Sequence, residues 1–222
     1  VCVNAAVRAQ RRRDIARTVC IFRMARSNVR FVPTKVGGVV TSTRRVAFDG
    51  AIPVDAESRA LLCVGNAGKR RIRAQIVVRD ESDMYALRVV PGVAVLDGGM
   101  ACEFEVFVTP LCSCTVDDRV VVAVRRGGSA ETESASVGLK AETEVTTKLH
   151  YADVVCEKQI GEGSFGVVFR GTFRGNDVAV KKMKEVGASA ESMDEFGKEV
   201  GMLDKFRCDF VVHFHGACTI RN

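Results

Sequence analysis

Long apolar runs are missing from this sequence. Hydrophobic residues make up 47% of its 222 residues, yet no uninterrupted apolar stretch approaches the roughly 18–20 residues that cross a bilayer. A membrane-spanning helix within the chain is therefore excluded. The apolar content still suffices for packed cores and argues against disorder. At this length, one large domain or two small domains are expected.

Metal-binding patterns are also scarce. The nine cysteines include no C-x-x-C pair, and Cys112 and Cys114 flank a single serine, a poor spacing for zinc. No histidine precedes His150, and His213 and His215, two positions apart in a predicted strand over 210–217, have no third ligand nearby. We therefore predict no metal site, and reduced, mostly buried thiols in a cytosolic protein.

Acidic residues are nearly absent from the basic N-terminal segment 1–30, where Asp14 is the only acid among many arginines. This segment accounts for most of the net charge of +6. It is interpreted as a solvated linker or a gene-prediction artefact, with a membrane-proximal segment or a transit peptide as alternatives. Nucleic-acid binding is not predicted, because aromatic side chains are not interleaved with the arginines.

Residues 31–148 alternate between apolar and polar side chains. The alternation is clearest at 72–78, 85–89, 102–108 and 137–145, with turn signals at 91–92, 97–99 and 127–128. This pattern predicts an antiparallel β-sandwich. The region has no histidine and no cluster of carboxylates, so we expect a protein-binding module or a spacer rather than a catalytic site.

A glycine-rich loop follows further along the chain. Gly161, Gly163 and Gly166 form G-x-G-x-x-G, in which backbone amides without a neighbouring Cβ can approach phosphate oxygens closely. A Rossmann loop shares this pattern but leads into a helix. Here the β-favouring residues 167–169 follow at once, so the loop is predicted to join two antiparallel strands.

Turn residues and a lysine come next. Gly171 and residues 175–177 have turn chemistry, and a further strand over 178–180 ends at Lys181. Lys182 and Lys184 are predicted to face solvent rather than the side of Lys181, because side chains alternate along a strand.

A helix is predicted from residues 189–192 onward. Its apolar residues recur at helical spacing at Met193, Phe196, Val200 and Leu203. Glu199 falls within this stripe and is predicted to face inward, where a carboxylate needs a cationic partner. Lys181 is the expected partner. The alternatives are that Glu199 reaches water, or that Glu191 or Glu195 pairs with the lysine.

These motifs resemble the N-terminal lobe of a protein kinase, in the tyrosine-kinase-like group, and are especially similar to large amoebic kinases of that group. The resemblance covers residues 151–222 and implies a phosphotransferase that uses ATP and Mg²⁺ and acts on protein serine or threonine, with tyrosine as an alternative acceptor. It implies an ATP site formed by Ile160, Gly161, Glu162, Gly163, Ser164, Phe165, Gly166, Val168, Ala179 and Lys181. Phe165 would lie at the loop tip, Val168 and Ala179 would enclose adenine, and Lys181, paired with Glu199, would hold phosphates as the catalytic pair.

The family's metal ligands and the group that orients the attacking hydroxyl come from His-Arg-Asp and Asp-Phe-Gly motifs. Neither motif occurs in the sequence. We therefore expect a fragment of a longer kinase that is inactive alone, lacks the Mg²⁺ ligands and is prone to association through exposed apolar surface. The alternative is a non-catalytic interaction module with a vestigial kinase lobe.

A second resemblance concerns residues 89–110, which are similar to the immunoglobulin-like repeat of the major-sperm-protein or ASH type. This repeat precedes the kinase domain in the amoebic proteins. The expected fold is thus two domains, an all-β immunoglobulin-like sandwich over 31–148 and the α+β kinase N-lobe over 149–222. The expected partners are ATP, a protein substrate and a protein bound by the sandwich. The expected location is cytoplasmic, with a membrane-anchored receptor-like parent as an alternative.

Overall fold

A computed structural model describes residues 20–78, 82–164, 166–183, 190–206, 208 and 210–218, and gives the backbone alone for 190–193. The chain forms two compact units, one of residues 1–111 with 115–144 and one of residues 112–114 with 145–222. Phe165, most of the basic segment and the predicted helix start at 189 lie outside the described residues. The predicted domain boundaries stay predictions.

The first unit consists of two β-sheets. Its strands are β1 (Cys20–Arg23), β2 (Val32–Pro33), β3 (Val39–Thr41), β4 (Arg45–Ile52), β5 (Ser58–Asn66), β6 (Ile72–Val77), β7 (Tyr85–Val90), β8 (Ala94–Leu96), β9 (Met100–Pro110), β10 (Thr115–Arg126) and β11 (Thr132–Thr143). One sheet has the order β1-β9-β5-β3-β2, with β7 also on β9, and the other has the order β4-β11-β10-β6-β8. Strand β9 is the centre of its sheet, because β5 lies along one edge and β1 and β7 follow each other along the other.

The predicted strands of this unit are confirmed as β6, β7, β9 and β11, and the predicted turns fall between β7 and β8, between β8 and β9 and between β10 and β11. Two expectations were wrong. Strand β4 pairs with β11 in parallel, which the long connection between them permits, so the sheets are not wholly antiparallel. Residues 20–23, predicted to belong to a linker, form a strand because their backbone pairs with the start of β9.

Both sheets contribute to one apolar core. Burial alternates along β6, β9, β10 and β11, as expected for strands with one covered face. The largest fully buried side chains are Phe104, Leu62, Ile72, Leu96, Leu139, Val39, Val46, Val64, Val106, Val108, Val116 and Val120. Each such side chain contributes about 1.5–3 kcal/mol to folding. Buried Asn66 donates from Nδ2 to the carbonyls of Arg70 at 2.8 Å and Leu96 at 3.0 Å, so its burial leaves the amide paired.

The second unit contains a three-stranded antiparallel sheet and a helix. The strands are β12 (Val154–Gly163), β13 (Gly166–Phe173) and β14 (Asn176–Met183), paired in chain order, and helix α1 spans Ala190–Leu203. The turn between β13 and β14 is Arg174–Gly175, with φ of 49° and 80°. It lies one residue before the predicted turn, and both of its residues have the positive φ that a two-residue hairpin loop of this kind needs.

Gly171 also departs from expectation. It was predicted to lie in a turn but is buried within β13. A Cβ at this position would collide with the carbonyl oxygen of Val155 in the neighbouring strand. An isolated glycine in a strand pattern is the sequence signal of such a close backbone approach.

The predicted strand over 210–217 is wrong. Only Ala217 makes a bridge there, parallel to Lys148, while the Phe210 side chain is 97% exposed. The alternation was present, but no other described segment pairs with this stretch. A Cβ at Gly216, where φ is 150°, would also collide with the carbonyl of Thr147, so the contact with segment 147–149 is confined to Gly216 and Ala217.

Three described cysteines are buried, three are half-buried, and Cys20 and Cys208 are exposed; none of these eight forms a disulfide with another. Burial is the largest cause of the raised pKa of Cys102, to about 12, and of Cys114, also to about 12. Burial of the described cysteines is thus less general than predicted, and their reduced state stays a prediction. No helix within the described ranges is long and apolar enough to cross a membrane.

Candidate functional site

One face of the three-stranded sheet brings several predicted site residues together. Val168 in β13 is the cross-strand partner of both Gly161 in β12 and Lys181 in β14. Directly opposed side chains share a face, as do side chains two positions apart. Val168, Ala179 and Lys181 therefore project from the same side of the sheet. That side is open, since Ala179 and Lys181 are exposed and Val168 is only partly covered.

Ile160 lies at an irregularity in this sheet. Gln159 pairs with Phe169 and Gly161 pairs with Val168, so Ile160 is an extra residue in β12 at a bulge. Its side chain is 59% exposed. An exposed isoleucine beside Val168 gives the open face an apolar edge.

Lys181 and Glu199 form an ion pair. The Lys181 Nζ donates to Glu199 Oε1 at 2.7 Å, and each side chain is 44% exposed. Lys181 thus pairs with Glu199 and not with Glu195. The side chain of Glu191 lies outside the described part. Half-exposed pairs contribute little to stability, about 0–1 kcal/mol, so the main consequence of this contact is to orient the ammonium group.

Glu199 is less covered than its position in the apolar stripe predicted. Phe196 and Val200 are only partly covered, and Leu203 is 39% exposed, so the stripe itself does not pack into a closed core. On the solvent side of the same helix, Lys198 pairs with Asp194 at 2.6 Å across one turn. The helix therefore presents Glu199 toward the sheet and Asp194, Glu195 and Lys198 to water.

The three glycines of the loop differ in what they require. A Cβ at Gly166 would collide with the carbonyl oxygen of Lys182, so packing alone demands glycine there. Gly161 and Gly163 have no atom within 4 Å of a Cβ position, and neither has a positive φ. Neither backbone conformation nor packing among the described residues explains glycine at those two positions. An unobstructed backbone suits a ligand that approaches the amides closely.

The remaining residues of the loop are exposed. Gln159 Nε2 donates to Glu162 Oε2 at 3.4 Å, and Ser164 lies in the turn. Phe165, predicted at the loop tip, lies outside the described residues. Lys182 faces the other side of the sheet, as predicted, with Nζ 5.2 Å from the centroid of the Phe169 ring.

The two histidines are close to each other. The ring centroids of His213 and His215 lie 4.6 Å apart, and His215 meets the Phe173 ring edge-on at 5.8 Å. Within the described residues, no three His, Cys, Asp or Glu side chains form a group able to hold a metal ion. These histidines pack against aromatic neighbours.

A nucleoside triphosphate fits the residues present on the open face. The uncovered glycine amides suit phosphate oxygens, Lys181 supplies a positive charge, and Ile160, Val168 and Ala179 supply apolar surface for a base. In the described part of the chain, no group of three or more His, Cys, Asp or Glu side chains is placed to bind the Mg²⁺ that accompanies ATP.

Comparison with known families agrees with this geometry. Residues 154–222 match the family described as protein tyrosine and serine/threonine kinase. The similarity to this kinase family thus covers 69 of the 222 residues.

Three curated relatives illustrate the similarity. The probable serine/threonine-protein kinase gdt4 of Dictyostelium discoideum is 27% identical over 169 residues, 76% of this chain and 10% of that protein. The dual specificity protein kinase shkB of the same organism is 41% identical over 63 residues, 28% of this chain and 10% of that protein. The serine/threonine-protein kinase STY17 of Arabidopsis thaliana is 44% identical over 63 residues, 28% of this chain and 11% of that protein.

The chain spans about a tenth of the length of these relatives (10%, 10% and 11%). The alignment with gdt4 is longer than the region matched by the kinase family, so it includes residues before Val154. The similarity to that kinase thus extends into the chain upstream of the three-stranded sheet.

Proposed function

We propose that this chain is the ATP-covering part of a protein kinase that transfers the γ-phosphate of ATP to serine or threonine hydroxyls of proteins. The observation that carries the proposal is the 2.7 Å contact between Lys181 and Glu199, beside Val168 and the open glycines of β12. Tyrosine is the alternative acceptor, which the name of shkB as a dual specificity kinase makes worth testing.

Each site residue has a proposed role. The amides of Gly161, Gly163 and Gly166 cover the phosphates, and Lys181 holds them by charge while Glu199 orients its ammonium group. Ile160, Val168 and Ala179 pack against adenine, and Glu162, Ser164 and Phe165 complete the loop. When bound, Mg-ATP supplies the phosphoryl group that is transferred.

The metal ligands and the group that orients the attacking hydroxyl belong to motifs absent from the 222 residues. We therefore propose that the 222-residue chain by itself does not transfer phosphate. Membership of the tyrosine-kinase-like group, a cytoplasmic location and an immunoglobulin-like fold of the major-sperm-protein type for residues 31–148 are further parts of the proposal. The two β-sheets of the first unit support the last of these.

Lys181→Met in the whole kinase that carries this chain tests the proposal. Phosphate transfer to a protein substrate should fall by at least about a hundredfold, because the variant loses the charge that holds the phosphates. Lys182→Met is the matched control, since Lys182 faces the other side of the sheet, and it should keep near-normal turnover. Equal turnover in both variants would refute the assignment of Lys181. A whole protein without ATP turnover would favour the non-catalytic interaction module.

A further inference from the structure

A second candidate site lies on the first unit, on the outer face of the sheet that contains β6, β10 and β11. The buried residues of β6 and β10 face the core, so Arg73 and Arg125, at the intervening positions, project outward. These two arginines are direct cross-strand partners, and Thr132 is the partner of Arg125 in the next strand. Like charges directly opposite each other destabilise a sheet unless a counter-charge lies between them.

The nearby carboxylates do not supply that counter-charge. Asp97 is bound by Arg71 at 2.6 Å, and Glu133 is bound by Arg126 at 2.8 Å. Among the described residues, no acidic side chain pairs with Arg73 or Arg125.

The next row of the sheet leaves room beside these arginines. Ala123 is the partner of Gln75, and its small side chain forms the floor of a concavity of about 270 Å³. The concavity is lined by Arg73, Gln75, Ala123, Arg125 and Thr132. Every polar side chain in this lining can donate hydrogen bonds, and the two guanidinium groups can each bind oxyanions through paired N–H groups.

We propose that this concavity binds the phosphate of a phosphorylated serine or threonine side chain of a protein. A phosphate dianion would relieve the repulsion between Arg73 and Arg125, and its oxygens would accept hydrogen bonds from Gln75 and Thr132. Exposed Val77 and Val95, at 43% and 52%, lie on the same face and offer apolar contacts to flanking peptide residues.

A peptide is favoured over an anionic membrane surface. Arg73 and Arg125 line one shared concavity, and the same outer face also carries carboxylates, at Asp117 and Glu142. These would repel a continuous layer of negatively charged lipid headgroups, whereas a single phosphate at Arg125 lies about 20 Å or more from them along the strands.

The test is fluorescence anisotropy of the 222-residue chain with a labelled, degenerate phosphoserine peptide pool and its dephosphorylated counterpart. The phosphorylated pool should bind at least about tenfold more tightly. Arg73→Gln and Arg125→Gln should each weaken that binding by about tenfold, since each removes charge-assisted hydrogen bonds. Arg119→Gln is the control, because Arg119 is on the same face of β10 six positions away, and its effect should stay within about twofold.

Further measurements distinguish a phosphorylated peptide from inorganic phosphate and from a phospholipid surface as the ligand. Inorganic phosphate at moderate excess should displace the peptide pool, and phosphatidylcholine vesicles containing phosphatidylserine should bind no more strongly than neutral vesicles. Thermal denaturation should show that Arg125→Gln folds at least as stably as wild type, because it removes a repulsion.

Several outcomes would overturn the site. Equal binding of the phosphorylated and dephosphorylated pools would do so, as would an Arg119→Gln effect as large as that of Arg125→Gln. Vesicle binding that depends on Arg73 and Arg125 without peptide binding would assign the surface to membranes. None of these outcomes involves ATP, so this test is independent of the proposed kinase function.

Discussion

The two units use their strands in different ways. In the first unit, alternate side chains of β9 and β10 are fully buried, with Phe104, Val106 and Val120 at 0% exposure. In the second unit, no residue of β14 is buried, and in β13 only Gly166, Gly171 and Phe173 are. Packing within the first unit explains most of its apolar residues, with Ile21, Leu61, Val77 and Val95 as exposed exceptions. The open face of the second unit retains apolar and charged residues that its own packing does not explain, which is typical of a surface that binds something else.

The largest effect expected from this comparison is on the core of the first unit. Phe104→Ala should destabilise that unit by about 3–5 kcal/mol, because it removes a fully buried aromatic side chain and leaves a cavity. Ile160→Ala, on the exposed edge of the second unit, should cost less than about 0.5 kcal/mol. Urea denaturation of the two variants measures the difference. Similar losses would show that Ile160 is also part of a core.

A smaller effect distinguishes Gly166, where a Cβ would collide with backbone, from Gly163, where it would not. Gly166→Ala should destabilise the second unit by about 1–3 kcal/mol, because a Cβ would collide with the backbone carbonyl of Lys182. Gly163→Ala should leave the stability within about 0.5 kcal/mol of wild type, since its Cβ position is open. Thermal denaturation tests both. A large loss with Gly163→Ala would mean that its glycine serves the fold rather than a ligand.

A further effect depends on pH. Burial raises the pKa of Cys102 from 9.0 to about 12 in the folded chain, so the unfolded state loses its proton first. The stabilisation is complete below pH 9 and is lost progressively as the pH rises from 9 toward 12. Denaturation midpoints between pH 8 and pH 10.5 should fall for wild type and fall less steeply for Cys102→Ala. Identical slopes would show that this thiol does not contribute.

The smallest expected effect concerns the ion pair of the second unit. Lys181→Met should change the free energy of unfolding by less than about 0.5 kcal/mol, because half-exposed pairs are screened by water. Its large effect should fall on phosphate transfer instead. Calorimetric unfolding of the Lys181→Met and Lys182→Met chains provides the comparison. A strongly destabilised Lys181→Met chain would give the pair a structural role and would make loss of activity uninformative.

Local sequence patterns predicted much of the fold. Alternation and turn residues were sufficient for β6, β7, β9 and β11, because each strand has one covered face. The same reasoning could not find the parallel pairing of β4 with β11, which depends on contacts distant in sequence. It also failed for 210–217, where alternation was present but no strand lies alongside.

The candidate site was predictable where chemistry and local spacing coincide. Strand alternation placed Lys181 and Lys182 on opposite faces, and helical spacing placed Glu199 on the right face of α1. The pairing of Lys181 with Val168 depends on the hairpin register, which alternation does not give. The partial exposure of Glu199 was not predictable, because burial depends on what else packs against the helix. The different requirements of Gly163 and Gly166 were also not predictable. The motif shows only a glycine at each position, and the backbone that packs against Gly166 belongs to another strand.

The central position of β9 has a consequence for synthesis of the chain on the ribosome. Strand β1 emerges early but has no partner until residues 100–103 follow, and β4 waits for β11, which begins at Thr132. Pairings between segments so far apart in sequence form slowly, because a long loop must close first. The sheet that contains β1 is incomplete until β9 has been synthesised, and the sheet that contains β4 is incomplete until β11 has been synthesised. A nascent chain arrested before β9 would therefore expose unpaired β-strands, and that interval is when the first unit most needs protection from association.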